Sequence, residues 1–180
     1  MSVTIAVIVS GTGSAAQWRK TLEGVTRAQF VARNPHTFLL WSSGASNDVT
    51  PLASPSLSFH TQVHGSAGRP STAAADVDEV LVIPLKKAAG NPFPDRISVG
   101  RAPNCDIVFR DPSVSKLHGH FREVSADSAV FTDAKSANGT RLNGVTMVSG
   151  EAVAVKSFSY LVLGRIRVQL LSSGDLYDWL

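Results

Sequence analysis

The chain has 180 residues, of which 43% are hydrophobic, and this is enough apolar material for one folded domain, or for one domain with an appendage. Lys and Arg exceed Asp and Glu by only three (17 − 14), and the two signs nearly balance from Asp95 onward, so the basic stripe of a duplex-binding protein is missing. Cys105 is the only cysteine, which excludes an internal disulfide framework and indicates a reducing compartment.

The opening segment MSVTIAVIV is apolar but too short to span a membrane. It also lacks the basic residues that begin a signal peptide. A short strand that starts at Val3 is the simpler prediction. We therefore expect a cytoplasmic protein that does not associate with membranes.

Residues 1–41 predict a small, partly helical N-terminal extension. Thr26 and Gln29 have the spacing of a capping box, which predicts a helix that begins after Thr26. The Asn34-Pro35 pair ends this helix, because the residue before a proline disfavours the helical conformation. Phe38–Trp41 could form a strand.

The segment GTGSAA, residues 11–16, matches a Gly-x-Gly-x-x-Ala dinucleotide fingerprint and follows an apolar run. However, the next candidate strand, Phe38–Trp41, leads into Ser-Ser and offers no acidic residue to hold a ribose. The chain also turns to linker composition before a second nucleotide-binding half could form. We interpret the segment as a glycine-rich turn rather than part of a nucleotide-dependent enzyme, and we predict no cofactor.

The rest of the chain divides by composition into a linker, a strand-rich domain and a tail. Residues 42–78 are rich in Ser, Ala, Gly and Pro and are predicted to be a linker. Residues 79–172 contain many short apolar runs with turn residues between them, which is typical of a β-sandwich. Residues 173–180 form an apolar C-terminal tail that would most simply dock on the domain's own surface. The candidate strands are Val80–Leu85, Arg96–Gly100, Asp106–Phe109, Leu117–Val124, Ala129–Thr132, Val145–Val148, Ala152–Val155, Tyr160–Leu163 and Ile166–Leu171.

Two polar groups bracket the candidate strand Asp106–Phe109. Arg101 follows Gly100 at a strand end, and its planar guanidinium suits a phosphate dianion. Ser115 and Lys116 follow a turn that contains proline, and they offer a hydroxyl, a backbone N–H and an ammonium to an oxyanion. Each group alone would be interpreted as a solvated arginine or a turn-capping serine.

A third loop carries Asn138-Gly139-Thr140. A plain turn needs only the backbone freedom of the glycine. The asparagine amide, however, offers a donor and an acceptor together, and could pair with the backbone of a bound extended peptide.

Metal and catalytic sites are not predicted. His118 and His120 would share a strand face, but no third or fourth ligand follows at a familiar spacing, and His118 more simply hydrogen-bonds the loops. The Gly-x-Ser-x-Gly motif of hydrolases is missing. Cys105 lacks the context of a thiol nucleophile and is expected to fill the core.

Taken together, the motifs resemble the forkhead-associated (FHA) domain, a phosphothreonine-peptide binding module. The family's order is Gly-Arg, Ser-x-x-His, Asn-Gly-Thr and a second Asn-Gly. The resemblance covers residues 79 to about 172 and implies a mainly β fold, a two-sheet sandwich with its binding loops at one end. The matching segments are Gly100-Arg101, Ser115–His118, Asn138–Thr140 and Asn143-Gly144.

The resemblance implies a binding protein, not an enzyme, that reads phosphothreonine in partners modified by an upstream Ser/Thr kinase, and that binds no nucleic acid. Arg101 and Ser115 would hold the phosphate, Lys116 would add charge, and Asn138 would hold the peptide backbone. The implied phosphopeptide-binding residues are Arg101, Ser115, Lys116, Asn138 and Thr140. The residues implied to support the site are Gly100, His118 and Gly139.

The sequence departs from the family at Ala137, where many members carry a hydroxyl before the asparagine. This change removes one phosphate contact or moves it to a backbone N–H. An alternative function therefore stays open, in which the same sandwich is a phosphate-independent protein scaffold that binds through another face.

Overall fold

The computed structural model describes residues 7–8 (backbone), 11–42, 80–89, 91 and 93–180. Within these residues the chain forms thirteen strands and three helices. The strands are β1 (Val7–Ile8), β2 (Gly13–Ser14), β3 (Phe38–Trp41), β4 (Leu81–Pro84), β5 (Ile97–Gly100), β6 (Ile107–Phe109), β7 (Gly119–Arg122), β8 (Ser128–Asp133), β9 (Thr140–Leu142), β10 (Val145–Thr146), β11 (Ala152–Lys156), β12 (Tyr160–Leu163) and β13 (Ile166–Leu171). The helices are α1 (Ala15–Thr21), α2 (Arg27–Arg33) and α3 (Ser173–Trp179).

Two sheets pack face to face, which confirms the predicted mainly β sandwich. The first sheet has the order β1-β6-β5-β7-β8-β11 and the second β10-β9-β12-β13-β3-β4-β2. Neighbouring strands are antiparallel except for β5 and β6, which run parallel. Because β5 and β6 point the same way, the segments that leave their carboxyl ends lie at the same end of the first sheet.

Alternation of side chains along the strands builds the core between the sheets. In β8, Ala129, Phe131 and Asp133 are buried, and the residues between them are partly exposed. Phe131 contacts Phe121 of β7 with ring centroids 4.8 Å apart. The inward position of Asp133 places a carboxylate at the end of this core.

Strand β3 lies between β13 and β4 in the second sheet, and all four of its residues are buried. Leu39 and Trp41 face the core between the sheets, whereas Phe38 and Leu40 face a second apolar cluster under the helices. The strand is apolar throughout because both of its faces are covered. The structure thus differs from the predicted division at this strand, since the sandwich includes a strand that precedes the predicted linker.

Both N-terminal helices begin with a capping box. The predicted box of Thr26 and Gln29 is confirmed at the start of α2, and Asn34 caps its C-terminus. Ser14 and Gln17 form the same arrangement at α1. Segment 11–16, which resembled a dinucleotide fingerprint, contains the short strand β2, which pairs antiparallel with β4.

Helix α3 confirms the expectation that the C-terminal tail docks on the chain's own surface, although the sequence was not predicted to be helical there. Leu176 and Trp179 are buried in the second cluster with Phe30 and Phe38. The Tyr177 hydroxyl donates a hydrogen bond to the backbone carbonyl of Val25 at 2.9 Å. Helix α3 is therefore packed together with α1 and α2 on one face of the second sheet.

The predicted strands of residues 79–172 are confirmed with shifts of at most two residues at their ends, and β12 and β13 have the predicted bounds. Strand β9 was not predicted. The predicted strand at Val3 lies outside the described residues except for Val7–Ile8, and the predicted linker 42–78 lies outside them except for Ser42. No helix in the described part of the chain is long and apolar enough to cross a membrane.

Candidate functional site

The loops that follow β5 and β6 are hydrogen-bonded to each other, as the two motifs suggested. The Arg101 N–H donates to the Ser115 carbonyl at 2.9 Å, and the Ala102 N–H donates to the Lys116 carbonyl at 3.0 Å. The predicted phosphate-binding residues of the two motifs therefore lie side by side, although fourteen positions separate Arg101 from Ser115 along the chain.

Gly100 makes this close approach possible. A Cβ atom at this position would lie 2.2 Å from the Lys116 carbonyl oxygen and 2.9 Å from its carbon. Because those are backbone atoms, no side-chain rotation could relieve the overlap. The glycine of the Gly-Arg motif is required by packing between the two loops.

The loop between β8 and β9 is the third loop of the candidate site, and it is hydrogen-bonded to the loop that follows β6. Ala137 donates its N–H to the Ser115 hydroxyl oxygen at 2.9 Å, and the Asn138 side-chain amide donates to the Ser113 carbonyl at 2.8 Å. The hydroxyl proton of Ser115 remains available to donate, since the Ala137 bond uses its oxygen as the acceptor. At Ala137, where the family hydroxyl is missing, the backbone N–H is therefore engaged by Ser115.

The buried side chain of His118 connects the loop of Ser115 to the loop of Gly139. The ring is buried, its Nδ1 accepts the Ser115 N–H at 3.2 Å, and its Nε2 lies 3.3 Å from the Gly139 carbonyl oxygen. Burial lowers the pKa of His118, and this outweighs the opposing effects of Asp133 and the Gly139 carbonyl. The neutral ring with its proton on Nε2 satisfies both bonds, so we assign His118 to loop support.

Asp133 is the anchor of the β8–β9 loop. One carboxylate oxygen accepts from the Ser136 N–H and the Ser149 hydroxyl, and the other accepts from the Ser136 and Thr140 hydroxyls, at 2.6–3.0 Å. Burial, the largest single influence, acts to raise the pKa of Asp133, but the hydrogen bonds together hold it below its ordinary value. The carboxylate is thus ionised at neutral pH.

Thr140 belongs to this support rather than to the binding surface. It is 1% exposed, and its hydroxyl is bonded to Asp133 at 2.7 Å. A bound peptide could not reach it, which corrects the expectation that Thr140 contacts the ligand. Ser115 is partly exposed, and Arg101, Lys116 and Asn138 are exposed beside it.

A second buried carboxylate, which sequence reasoning missed, holds the loop that precedes Ser115. The side chain of Asp111 is fully buried and accepts from the Ser113 hydroxyl at 2.6 Å and from the Arg165 guanidinium at 2.7 Å. The Arg165 N–H in turn donates to the Ser113 hydroxyl at 3.0 Å. The β12–β13 turn is thereby tied to the candidate site. The only hint in the sequence was the Asp-Pro pair at 111–112, which marks a turn.

Cys105 and His120 lie on the side of the Arg101 and Ser115 loops that faces away from the sandwich core. Cys105 is half-buried and donates its thiol to the Lys116 carbonyl at 3.3 Å, so it supports the Arg101 loop instead of filling the core. His120 lines a cleft of about 340 Å³ with Cys105 and Leu117 on the outer side of the first sheet. Within the described residues, no group of three or more His, Cys, Asp or Glu could hold a metal ion.

The hydrogen-bond donors of the three loops that are not engaged by other described residues suit an oxyanion. The Arg101 Nε donates to the Val114 carbonyl at 3.2 Å, which fixes the guanidinium while its two terminal nitrogens make no hydrogen bond to the described residues. The Lys116 ammonium is exposed and likewise forms no ion pair within the described part. A planar fork, a hydroxyl and an ammonium are therefore carried by two hydrogen-bonded loops, and together they form a donor set that suits a phosphoryl group. Arg101 lines an open groove on one side of these loops, and Lys116 lines the cleft that contains His120.

Several solved structures are similar to the chain. The MEK1 FHA domain is 18% identical, with a TM-score of 0.46, and the match covers 86% of this chain and 98% of that one. The N-terminal FHA domain of Rad53p from S. cerevisiae, in complex with a phosphothreonine peptide, is 16% identical with a TM-score of 0.42, covering 54% and 87%. The FHA domain of the CT664 protein from Chlamydia trachomatis is 22% identical with a TM-score of 0.42, covering 51% and 84%.

Among curated proteins, none matches this sequence. The model of the FHA domain family, in contrast, matches residues 97–164. This range contains each of the motifs that carried the resemblance, from Gly100-Arg101 to Asn143-Gly144. Residues 97–164 are therefore similar to the FHA domain family, in agreement with the resemblance that the motifs carried.

Proposed function

We propose that this protein binds segments of partner proteins that a Ser/Thr kinase has phosphorylated on threonine. The observation that carries the proposal is the pair of backbone hydrogen bonds, 2.9 and 3.0 Å long, that holds Arg101 beside Ser115 and Lys116. Without them, the cationic groups would belong to two separate loops. With them, three kinds of phosphate donor lie on two adjoining loops.

The charge of the site fits the charge of the ligand. A phosphothreonine carries about −1.5 to −2 charges at neutral pH and presents three acceptor oxygens. The Arg101 guanidinium would take two of these oxygens, and the Ser115 hydroxyl and Lys116 ammonium would take the third. Hydrogen bonds to an ionised group are shorter and stronger than neutral ones, which favours the phosphorylated form over the free hydroxyl.

Asn138 supports a peptide ligand rather than free phosphate. Its amide nitrogen bridges to Ser113, while its carbonyl oxygen makes no hydrogen bond to the described residues. The exposed side chain is thus fixed in place with an acceptor left for the backbone N–H of an extended segment. Gly139, which has φ of +69°, gives the loop the turn that presents this side chain.

The phosphate contact can be tested with Arg101→Ala. We expect the variant to lose on the order of 2–3 kcal/mol of binding free energy, the scale of a hydrogen bond to a charged group, or roughly a hundredfold in affinity. Fluorescence anisotropy with a degenerate phosphothreonine peptide library measures the effect. Arg33→Ala, in helix α2, is a matched control that removes an equal charge from another exposed position.

A second arm separates the proposal from the scaffold alternative. Pull-down from native lysate, before and after phosphatase treatment, should show partners that are lost when phosphate is removed. Partners that are retained after phosphatase and bind Arg101→Ala as well as the original protein would contradict phosphothreonine recognition. They would favour a phosphate-independent scaffold.

A further inference from the structure

Strand β11 forms an open edge of the first sheet. Its five residues pair with β8 one by one, and no other strand in the described part of the chain pairs with them. Val155 is 0% exposed, so its backbone N–H and C=O face β8. Because these groups alternate in direction along an antiparallel strand, those of Ala154, at the centre of β11, face outward. Ala152 and Ala154 therefore present backbone donors and acceptors along the edge.

This edge lacks the features that usually prevent one sheet from pairing with another. Proteins protect an edge strand with proline, a bulge or an inward-pointing charge. The sequence of β11 is AVAVK, its pairing with β8 keeps one register throughout, and its single charge, Lys156, stands at the last position. The exposed side chains of Ala152 and Ala154 are small, so they do not obstruct the approach of another strand.

The neighbouring edge of the second sheet exposes two valines. Its edge strand β10 is joined to β11 by residues 147–151, a connection too short to cross a sheet, so both open edges lie on the same side of the sandwich. Val145 pairs with Leu142 and shares its core-facing side, yet Val145 is 71% exposed. Val148, which follows β10, is 65% exposed. Covering these apolar side chains would favour association at this side of the sandwich.

We propose that a second copy of this chain pairs with β11 and forms a twofold-symmetric dimer in which the two first sheets are continuous. An antiparallel pairing centred on Ala154 engages all five residues of the strand. In this register Ala154 lies opposite the second copy's Ala154, and Ala152 lies opposite the second copy's Lys156. The dimer does not depend on the phosphothreonine function proposed above.

The charges at the ends of β11 favour a second copy as the occupant of this edge. Glu151 directly precedes the strand and Lys156 ends it, and both residues are exposed and form no ion pair within the described residues. In the proposed register each Lys156 lies beside the second copy's Glu151. The twofold axis produces this pairing of opposite charges twice and places no like charges opposite each other.

Sedimentation velocity and light scattering of the full chain test the dimer. Between about 1 and 100 μM we expect the mass to rise from 19.1 kDa towards twice that value. Ala154→Pro removes the outward N–H and should leave a folded monomer, because an edge strand tolerates proline where the N–H faces outward. Ala154→Ser keeps the N–H and is the matched control, which should form the dimer as the original protein does. Circular dichroism spectra would show that each variant is folded.

Charge reversal separates a contact between copies from an effect within one chain. Glu151 and Lys156 stand about 17 Å apart along one strand, which is beyond the range of a direct contact. Glu151→Lys or Lys156→Glu alone should weaken dimerisation about tenfold, because two attractive pairs become repulsive. The double variant should restore the original dimerisation constant, and only a contact between copies explains that rescue.

Engineered cysteines test the register of the pairing. In a Cys105→Ser background, Ala154→Cys should form a disulfide between copies under mild oxidation. Opposite residues in a hydrogen-bonded antiparallel pair have Cα atoms about 5.5 Å apart, within the reach of a disulfide. Ala152→Cys is the matched control and should not cross-link, since the two copies of this residue are about 13 Å apart along the strands. Non-reducing gel electrophoresis separates the two results.

A mass of 19.1 kDa at every concentration would overturn the proposal. A dimer that persists in folded Ala154→Pro would do the same, as would a double charge variant that is no better than the single ones. If Ala154→Pro fails to fold, the charge and cysteine variants decide the question. Peptide anisotropy measures the phosphothreonine function separately, so that function and the dimer can fail independently.

Discussion

Replacing Asp133 with asparagine tests whether the buried carboxylate holds the β8–β9 loop. The substitution keeps the volume but removes the charge that four hydrogen bonds share, at 2.6–3.0 Å. Bonds to a charged acceptor exceed neutral ones by roughly 1 kcal/mol each. Relief of the carboxylate's burial offsets part of that loss. We expect Asp133→Asn to lower the free energy of unfolding by about 2–3 kcal/mol.

Urea denaturation followed by tryptophan fluorescence measures the loss, with Asp127→Asn as the matched control. Asp127 is exposed, and its carboxylate makes no hydrogen bond to the described residues. The control should change stability by less than about 0.5 kcal/mol. A loss below about 1 kcal/mol for Asp133→Asn would refute the assignment of this carboxylate as the loop anchor.

The pH dependence gives an independent check. The pKa of Asp133 is lower in the folded chain than its ordinary value, so its stabilising effect is complete above the ordinary value and is lost as pH falls through the folded pKa. The difference in unfolding free energy between the original protein and Asp133→Asn should be constant above about pH 5 and should shrink below it. A difference that grows in acid would contradict the ionised state of Asp133.

Two further substitutions test the packing around the site and under the helices. Gly100→Ala should destabilise the domain by about 1–3 kcal/mol and weaken peptide binding, because its Cβ would overlap the Lys116 backbone. Urea denaturation and peptide anisotropy would measure both effects, and unchanged values would show that the two loops separate freely. Leu176→Ala in α3, where the side chain is 0% exposed, should cost about 2–5 kcal/mol. A thermal shift near zero would show that α3 is not part of the folded unit.

Most of the sandwich could be predicted from the sequence because its strands follow local rules. Alternating burial in β8 and turn residues such as Asn143-Gly144 are visible in short segments. The strand β9 was missed because only Thr140 of its three residues is buried. Helix α3 was missed because its apolar residues, Leu176 and Trp179, gain their burial from clusters formed by distant parts of the chain.

Some roles in the candidate site could also be predicted from local motifs, whereas others depend on the fold. Arg101, Ser115, Lys116 and Asn138 could be predicted as site residues because their motifs are local, and the structure places the loops that carry them next to one another. Thr140 was assigned to the ligand because its motif alone does not show which way a side chain faces. In the fold the Thr140 side chain is buried, and its hydroxyl donates a hydrogen bond to the Asp133 carboxylate.

By itself, the sequence determined which residue types stand at the strand ends and that those types suit a phosphate, since turn chemistry and donor geometry are properties of short segments. Only the tertiary structure decided that β6 runs parallel to β5, that β3 joins the second sheet, and that Asp133 and Asp111 lie buried beneath the loops. The physical reason is that strand pairing and carboxylate burial depend on partners far away in the chain. Their hydrogen bonds form only once the two sheets have closed around a common core.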